Sequence, residues 1–354
     1  MIQVRKISVT EQPVFDITVE NTHNFFANGI VVHNCTEIFL PTSDERTAVC
    51  CLSSLNIEYY DQWKNDPLFI GDVVEMLDNS LQYFIDNAPD EISKAAFSAM
   101  RERSVGMGYL GFHSYFQSHD IPLESAIAKS LNKKISKHVW EKALEKDAEL
   151  CASRGPCPDA ADSGVNRRFS HLIAIAPNAS SSIIVDTSPS IEPYASNIFK
   201  HDTLSGSFIT KNKHLVKKLK ELGMDNQKTW SSINAAEGSV QHLDLPDDVK
   251  AVFKTAREID QMALIQLAAD RGEYVDQGQS LNLFFKSSTQ IKYFHSLHFA
   301  AWKLGLKSLY YVRSEKIKGE YKVGKKIKRK KIEDEPEVNL LAIADGEGCV
   351  ACEG

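Results

Sequence analysis

The amino-acid sequence predicts an α/β protein with a short all-β segment in front of it. Residues 1–34 contain β-rich runs and turn residues, and no stretch there has helical periodicity. From residue 35 onward, stretches of helical periodicity alternate with short apolar strands. The composition, 43% hydrophobic and 25% charged, is typical of a globular protein with a sizeable core.

Within the first segment, VFDITV (14–19) predicts a strand and ENTHN (20–24) a turn. FFANGI (25–30) contains an Asn-Gly pair, which is a strong hairpin signal, and VVHN (31–34) continues as the returning strand. These residues therefore predict a β-rich unit.

The second part is predicted to contain several helices and at least two buried strands. An apolar stripe of Val73, Leu77, Leu81 and Phe84 predicts one helix. The remaining helices are expected over 123–151, 246–269 and 289–304, and the strands over 171–177 (HLIAIAP) and 305–312 (GLKSLYYV).

Charge and cysteine content limit the function classes. The net charge of −6 argues against a protein that binds nucleic acid over its whole surface. No stretch approaches the roughly 18 apolar residues of a membrane span, and the N-terminus lacks the apolar core of a secretory signal. Seven cysteines, at 35, 50, 51, 151, 157, 349 and 352, then favour a reducing cytoplasm and cysteines used for chemistry.

The C-terminal residues are predicted to form a flexible tail. Between Arg313 and Lys331 there are ten Lys or Arg and two Glu, and the acidic run EDEPE (333–337) follows. The chain ends in small and polar residues around Cys349 and Cys352. The expected organisation is thus a β-rich unit at 1–34, an α/β domain at 35–315 and a tail at 316–354.

Residues 14–35, VFDITVENTHNFFANGIVVHNC, resemble the two C-terminal blocks of inteins. An asparagine can cyclise on its own backbone and cleave the next peptide bond, and a thiol just after it can accept an acyl group. The resemblance implies the following splicing residues: Asn34 cyclises, His33 assists it, Cys35 is the acceptor nucleophile, and Asp16 and His23 promote acyl transfer and cyclisation. The N-terminal intein blocks do not fit before residue 14, so we expect a split intein whose partner polypeptide supplies them.

Residues 35–354 resemble the C-terminal half of class I ribonucleotide reductase large subunits. Seven stretches carry the resemblance in the family's order: CTEIFLPTSDERTAVCCLSSLN (35–56), RSVGMGYLGFHSYF (103–116), IAPNASSS (175–182), IEPYASNIF (191–199), YVDQGQSLNLF (274–284), LGLKSLYYVR (304–313) and CVAC (349–352). The fold that this implies is the second half of the family's ten-stranded α/β barrel.

The resemblance assigns the radical chemistry to three residues near the start of this region. Cys35 matches the transient thiyl radical that takes hydrogen from the ribose 3′ carbon. Glu37, two residues on, matches the carboxylate that exchanges a proton with the 3′ hydroxyl. Cys50, rather than the adjacent Cys51, matches one of the two thiols that reduce the 2′ carbon and end as a disulfide. Its partner thiol belongs to the N-terminal half of the family's subunit.

Three further groups have implied roles. Asn178, Ala179, Ser180, Ser181 and Ser182 follow an apolar strand and match the loop that holds the substrate diphosphate. Tyr310 and Tyr311, predicted to lie on a strand, match the stacked tyrosines that pass the radical from the small subunit to Cys35. Cys349 and Cys352 match the mobile dithiol that receives electrons from thioredoxin or glutaredoxin; a CxxC pair also occurs in zinc sites, but two further ligands are absent from the tail.

The expected reaction is the reduction of ribonucleoside diphosphates to deoxyribonucleotides. No cofactor or metal is expected on this chain, because the family's radical comes from a metal-containing small subunit and its allosteric nucleotides bind the N-terminal half. The expected partners are the N-terminal split-intein and reductase half, the small subunit and a dithiol reductant, without a membrane or a specific nucleic acid. Two alternatives are an adenosylcobalamin-dependent reductase, which would not need the Tyr310–Tyr311 relay, and a splicing element with an inactive passenger.

Overall fold

The computed structural model describes residues 36–203 and 206–314, together with the backbone of four strands ahead of them. These strands are β1 (Ile2–Ser8), β2 (Pro13–Val19), β3 (Asn24–Ala27) and β4 (Ile30–His33). β1 pairs antiparallel with β2, and β3 pairs antiparallel with β4, as the Asn-Gly signal predicts. The side chains described run from 36 to 199 and from 209 to 314.

The α/β part consists of helices joined by short strands. The strands are β5 (Cys51–Asn56), β6 (Val105–Leu110), β7 (Ile198–Thr203), β8 (Gly206–Lys211), β9 (Leu283–Phe285) and β10 (Val312–Ser314). The helices are α1 (Tyr60–Trp63), α2 (Phe69–Asn87), α3 (Ser93–Glu102), α4 (Phe112–Ser118), α5 (Ala126–Arg154), α6 (Pro158–Asp162), α7 (Ala179–Ile184), α8 (Lys213–Glu221), α9 (Gln227–Ala235), α10 (Asp247–Val252), α11 (Gln261–Gly272) and α12 (Ile291–Lys303).

Five extended segments form one parallel row through the middle of this part. β5 pairs parallel with β6, and β9 with β10. Parallel bridges from Met107 to Ile173 and from Ile175 to Gln279 join the two pairs through the segment 171–175. Each crossover between neighbouring segments contains at least one helix, as parallel strands require. The row is therefore β5, β6, 171–175, 277–285 and β10.

Two predicted strands are less regular than expected. In the segment 171–177 only single bridges form, because the Asp276 carboxylate accepts the backbone N–H groups of Leu172 and Ile173, both at 2.8 Å, in place of a strand partner. The predicted strand 305–312 is regular only from Val312, so Tyr310 and Tyr311 lie just before β10. Both tyrosines still pair through their backbones with Leu281 and Leu283.

The helix predicted over 246–269 is two helices, α10 and α11. The chain turns between them because the Glu258 carboxylate accepts hydrogen bonds from the N–H and the hydroxyl of Thr255. α2 packs against α5, and α11 against α5 and α12, around the row of strands. A second apolar cluster, centred on Leu215, Trp230 and Phe253, lies under α8, α9 and α10.

Candidate active site

The segment Thr36–Phe39 lies against residues 277–280 of the parallel row. Gly278 donates its N–H to the Glu37 carbonyl at 2.7 Å, and Phe39 donates its N–H to Gln277 Oε1 at 3.2 Å. A Cβ on Gly278 would stand 2.5 Å from the Phe39 ring and 2.7 Å from the Thr36 carbonyl oxygen. The approach of the two segments therefore requires glycine at 278.

The Glu37 side chain is 1% exposed, and its carboxylate accepts a short hydrogen bond from the Ser280 hydroxyl. The same hydroxyl lies 3.2 Å from Thr36 Oγ1. The hydroxyl of Ser308 donates to the Thr36 carbonyl at 2.8 Å. The residue that follows position 35 is thus fixed on both its side-chain and its backbone oxygen.

Cys50 approaches the same place from the start of β5. Its Sγ accepts a hydrogen bond from Gln277 Nε2 at 3.2 Å and a longer one from Ser104 Oγ at 3.9 Å. Burial raises the pKa of the Cys50 thiol to about 12, although the donors Gln277 and Ser104 oppose that rise. The charge of the Glu37 carboxylate also raises this pKa, so that Glu37 and Cys50 lie within electrostatic reach of each other.

The neighbouring Cys51 has a different environment. Side chains alternate along a strand, and Cys51 packs against the main apolar core whereas Cys50 contacts polar groups. A Cβ on Gly106 would stand 3.0 Å from Cys50 Sγ and 2.4 Å from the Leu52 side chain. Gly106 thus leaves the space that the Cys50 thiol occupies.

Tyr310 and Tyr311 form a close ring pair, with centroids 3.9 Å apart and planes tilted by 37°. The Arg313 guanidinium lies 5.0 Å from the centroid of the Tyr311 ring. Tyr310 donates its N–H to the Leu281 carbonyl at 2.8 Å, and Tyr311 donates its N–H to Asn282 Oδ1 at 3.0 Å. The pair is therefore attached to the residues directly after Ser280.

Residues 178–182 surround the start of α7. Asn178 has a left-handed backbone (φ 56°), and its side-chain amide bonds Ser54 Oγ at 2.9 Å and the Tyr109 carbonyl at 3.1 Å. Ala179 and Ser182 are buried, Ser180 is half-buried and Ser181 is exposed. Asn178 thus holds the loop against the ends of β5 and β6, and the first N–H groups of α7 have no acceptor within the helix.

Sequence reasoning missed three polar residues of this region, namely Gln277, Ser280 and Glu192. Glu192 is buried and accepts a hydrogen bond from Asn282 Nδ2 at 2.7 Å. Burial raises its pKa to about 7, against the opposing effects of Asn282 and of the Arg313 charge. Ser280 and Asn282 are polar residues at alternate positions of an apolar run, which is the signal that could have found them.

Several predicted site residues lie outside the described residues. These are His23, Asn34, Cys35, Cys349 and Cys352. Asp16 lies on β2 and His33 on β4, where only the backbone is described. In the described part of the chain, no three His, Cys, Asp or Glu residues are grouped as metal ligands, and no helix is long and apolar enough to cross a membrane.

Comparison with known proteins identifies the architecture. The family model of the ribonucleotide reductase barrel domain matches residues 13–167 and 161–312. The ribonucleoside-diphosphate reductase large subunit of Invertebrate iridescent virus 3 is 52% identical over 288 residues, covering 80% of this chain and 45% of that protein. The corresponding protein of Invertebrate iridescent virus 6 is 48% identical over 324 residues, covering 89% and 34%.

Among solved structures, the class Id ribonucleotide reductase alpha subunit of Actinobacillus ureae superposes with a TM-score of 0.73 at 40% identity. That match covers 79% of this chain and 52% of that subunit. The chain thus spans about half or less of the length of the proteins it matches. The resemblance to reductase large subunits is confirmed for the barrel region, and the chain belongs to the ribonucleotide reductase large-subunit family.

Proposed function

We propose that this chain forms the C-terminal part of a catalytic subunit that reduces ribonucleoside diphosphates to deoxyribonucleotides. The convergence of Glu37 and Cys50 on residues 277–280, beside the close ring pair of Tyr310 and Tyr311, is the observation that carries the proposal. An acid, a thiol and a redox-active aromatic pair are the groups that a thiyl-radical reduction needs on this side of the substrate. The similarity to a class Id alpha subunit supports the assignment to class I rather than to an adenosylcobalamin-dependent class.

In the proposed reaction, Cys35 takes the hydrogen atom from the ribose 3′ carbon, and Glu37 accepts the proton of the 3′ hydroxyl. The 2′ hydroxyl leaves as water, and Cys50 with a second thiol from the N-terminal half becomes a disulfide. The balance is one ribonucleotide and two thiols giving one deoxyribonucleotide, one water and one disulfide. Cys349 and Cys352 then reduce that disulfide by thiol exchange and are themselves reduced by thioredoxin or glutaredoxin.

We propose that residues 178–182 hold the substrate diphosphate. Free N–H groups at the start of a helix favour a negatively charged group. The half-buried Ser180 and the exposed Ser181 can add hydroxyl donors there, while the Asn178 side chain is occupied with holding the loop. Asn178 therefore shapes the cradle rather than binding phosphate through its amide.

Tyr310 and Tyr311 are proposed to carry the radical from the metal-containing small subunit. A ring separation of 3.9 Å allows an electron to pass between the phenols, and each phenol can lose its proton with the electron. The small subunit is proposed to bind near Tyr311, because the adjacent Val312 and, in the same cleft, Ile291 expose apolar surface. An adenosylcobalamin-dependent enzyme would have no use for this pair.

The test uses the chain reconstituted with an N-terminal reductase half and a small subunit. Cys50→Ser should abolish multiple turnover, whereas the matched control Cys51→Ser should retain most activity because Cys51 packs in the core. Tyr311→Phe should abolish turnover, and Tyr293→Phe on α12 should not. If a variant and its matched control lost turnover equally, the catalytic role assigned to Cys50 or to Tyr311 would be wrong. The chain by itself should reduce nothing, because the second thiol belongs to the other half.

A second proposal concerns residues 1–34, which we infer to be the C-terminal part of a split intein. Its support is the sequence match over 14–35 and the two antiparallel strand pairs β1–β2 and β3–β4. In the proposed reaction Asn34 cyclises with help from His33, and the thiol of Cys35 accepts the upstream polypeptide; Asp16 and His23 assist.

The splicing test mixes the chain with an N-terminal intein half and follows ligation by mass spectrometry. The product should lack residues 1–34 of this chain. Asn34→Ala should block release, whereas Cys50→Ser should leave ligation intact while removing reductase activity. If the segment after residue 34 is instead an inactive passenger, the ligated product should show no reductase activity that depends on Cys50, Glu37 or the Cys349–Cys352 pair.

A further inference from the structure

The side-chain amide of Gln277 connects the Cys50 thiol to the segment Thr36–Phe39. Gln277 is fully buried. Its Nε2 lies 3.2 Å from Cys50 Sγ, 3.3 Å from Ser104 Oγ and 3.2 Å from the Val105 carbonyl oxygen. Its Oε1 accepts the Phe39 N–H at 3.2 Å. One planar group thus contacts both the thiol and the segment that follows position 35.

The orientation of this amide is fixed by its backbone partners. The Phe39 N–H is only a donor and must face Oε1, whereas the Val105 carbonyl is only an acceptor and must face Nε2. An inverted amide would lose both bonds inside a buried site, which is costly. The group near Cys50 Sγ is therefore an N–H donor, and the sulfur acts as its acceptor.

The strength of that contact depends on the chemical state of Cys50. A thiolate is a strong acceptor, a thiol a weak one, and a disulfide sulfur must move to about 2.05 Å from its partner sulfur. Because the amide is planar and rigid, a displacement of Nε2 also moves Oε1 and the bond to Phe39. Glu37 and Cys51 are the other titratable groups whose charges act on Cys50.

We propose that Gln277 is a positioning residue that couples the state of the Cys50 sulfur to the position of the segment Thr36–Phe39. The inference rests on the proposed function only for the roles of Cys50 and Cys35. Through this coupling, conversion of Cys50 to a disulfide loosens the segment next to the radical cysteine. The position of the segment that follows the radical cysteine then depends on whether the Cys50 thiol is reduced.

A purely structural Gln277 would hold Val105 and Phe39 together regardless of Cys50. Amide hydrogen exchange at Phe39 separates the two roles. The full 354-residue chain, in a Cys51→Ser background, is treated with methyl methanethiosulfonate, which converts a thiol to a methyl disulfide and releases methanesulfinic acid. Exchange at Phe39 is then followed by mass spectrometry with residue-level fragmentation, before treatment, after it, and after reversal with dithiothreitol.

The expected result is that treatment accelerates Phe39 exchange about tenfold and that dithiothreitol restores it. In Gln277→Met, exchange should be fast before treatment and should not change further. Gln277→Glu keeps an acceptor for Phe39 and, when protonated, one O–H donor for the Val105 carbonyl, but it has no N–H for the sulfur, so treatment should change its exchange less than twofold. This second variant keeps the test valid if Gln277→Met folds poorly.

Two controls remove competing causes. Cys50→Ser, treated identically, reports any effect of Cys35 and the other thiols on Phe39. Gln279→Met removes a neighbouring amide that bonds Arg271 and the Ala268 carbonyl instead, so it should respond like the parent. Once peptide mass shows the methyl disulfide on Cys50, parent exchange that changes less than twofold, or a full response in Gln277→Met, would overturn the coupling. Exchange at Phe39 is measured without turnover, so an inactive reconstituted enzyme would count against the proposed function and not against this inference.

Discussion

Substitution of Gly278 by alanine should lower the activity of the proposed reconstituted enzyme while changing the stability of the chain little. The new Cβ would lie 2.7 Å from the Thr36 carbonyl oxygen and 2.5 Å from the Phe39 ring. Non-bonded contacts of a carbon atom are favourable at about 3.5 Å, so one of the two segments must move by about 0.8–1 Å. Phe39 is 41% exposed and can rotate away, but the Thr36 carbonyl belongs to the backbone. The displaced segment also carries Glu37.

A misplacement of about 1 Å at reacting groups can lower the rate about 10²-fold. We therefore expect Gly278→Ala to lower the kcat of the reconstituted enzyme about 10²-fold. The free energy of unfolding of the chain, measured in urea, should change by less than about 2 kcal/mol. The control is Gly272→Ala at the end of α11, where a Cβ meets nothing closer than 3.6 Å. The reasoning fails if Gly278→Ala keeps more than half of the parent turnover, or if Gly272→Ala loses as much.

Three other substitutions test ionisable groups that are held by specific hydrogen bonds. Burial raises the folded-state pKa of Glu192 from its ordinary value of 4.5 to about 7, so the protonated carboxyl contributes about 3 kcal/mol to stability below pH 4.5, and this contribution is lost as the pH rises through 7. The free energy of urea unfolding should therefore depend less on pH between 5 and 8 in Glu192→Gln than in the parent. An unchanged pH dependence would contradict the assigned burial. Asp78 is 1% exposed and pairs with three arginines, so Asp78→Asn should lower the free energy of unfolding by about 3–5 kcal/mol. Asp72→Asn at an exposed position should change it little, and similar urea midpoints for the two variants would contradict this. Lys307→Met should cost about 1 kcal/mol in the same assay, because its exposed ammonium donates to three backbone carbonyls, while Lys303→Met should be neutral.

The sequence was most informative where chemistry is local. Glu37 follows position 35 by two residues, and the pair Tyr310–Tyr311 is adjacent, so their motifs could be read without a fold. The partners of these groups could not, because Gln277 and Ser280 are more than 200 residues away from Cys50 and Glu37. Only the parallel row brings them together.

The extent of strands was also hard to predict, for a physical reason. Periodicity reports which residues are buried but not which group accepts each backbone N–H. In the segment 171–177 a side chain, the Asp276 carboxylate, takes that place at two residues. The helix over 246–269 was overextended because a Thr255–Glu258 turn leaves the apolar pattern almost unchanged.

The parallel row ends in β5 on one side and β10 on the other within the described residues, and each end exposes a large apolar side chain, Leu52 at 44% and Val312 at 47%. Unpaired strand edges of this kind attract other strands and promote aggregation. If the proposed N-terminal half covers these two edges, the chain should aggregate less when that half is present during folding. Recombinant production should reflect this, with soluble yield rising when the complementary half is co-expressed rather than added after purification.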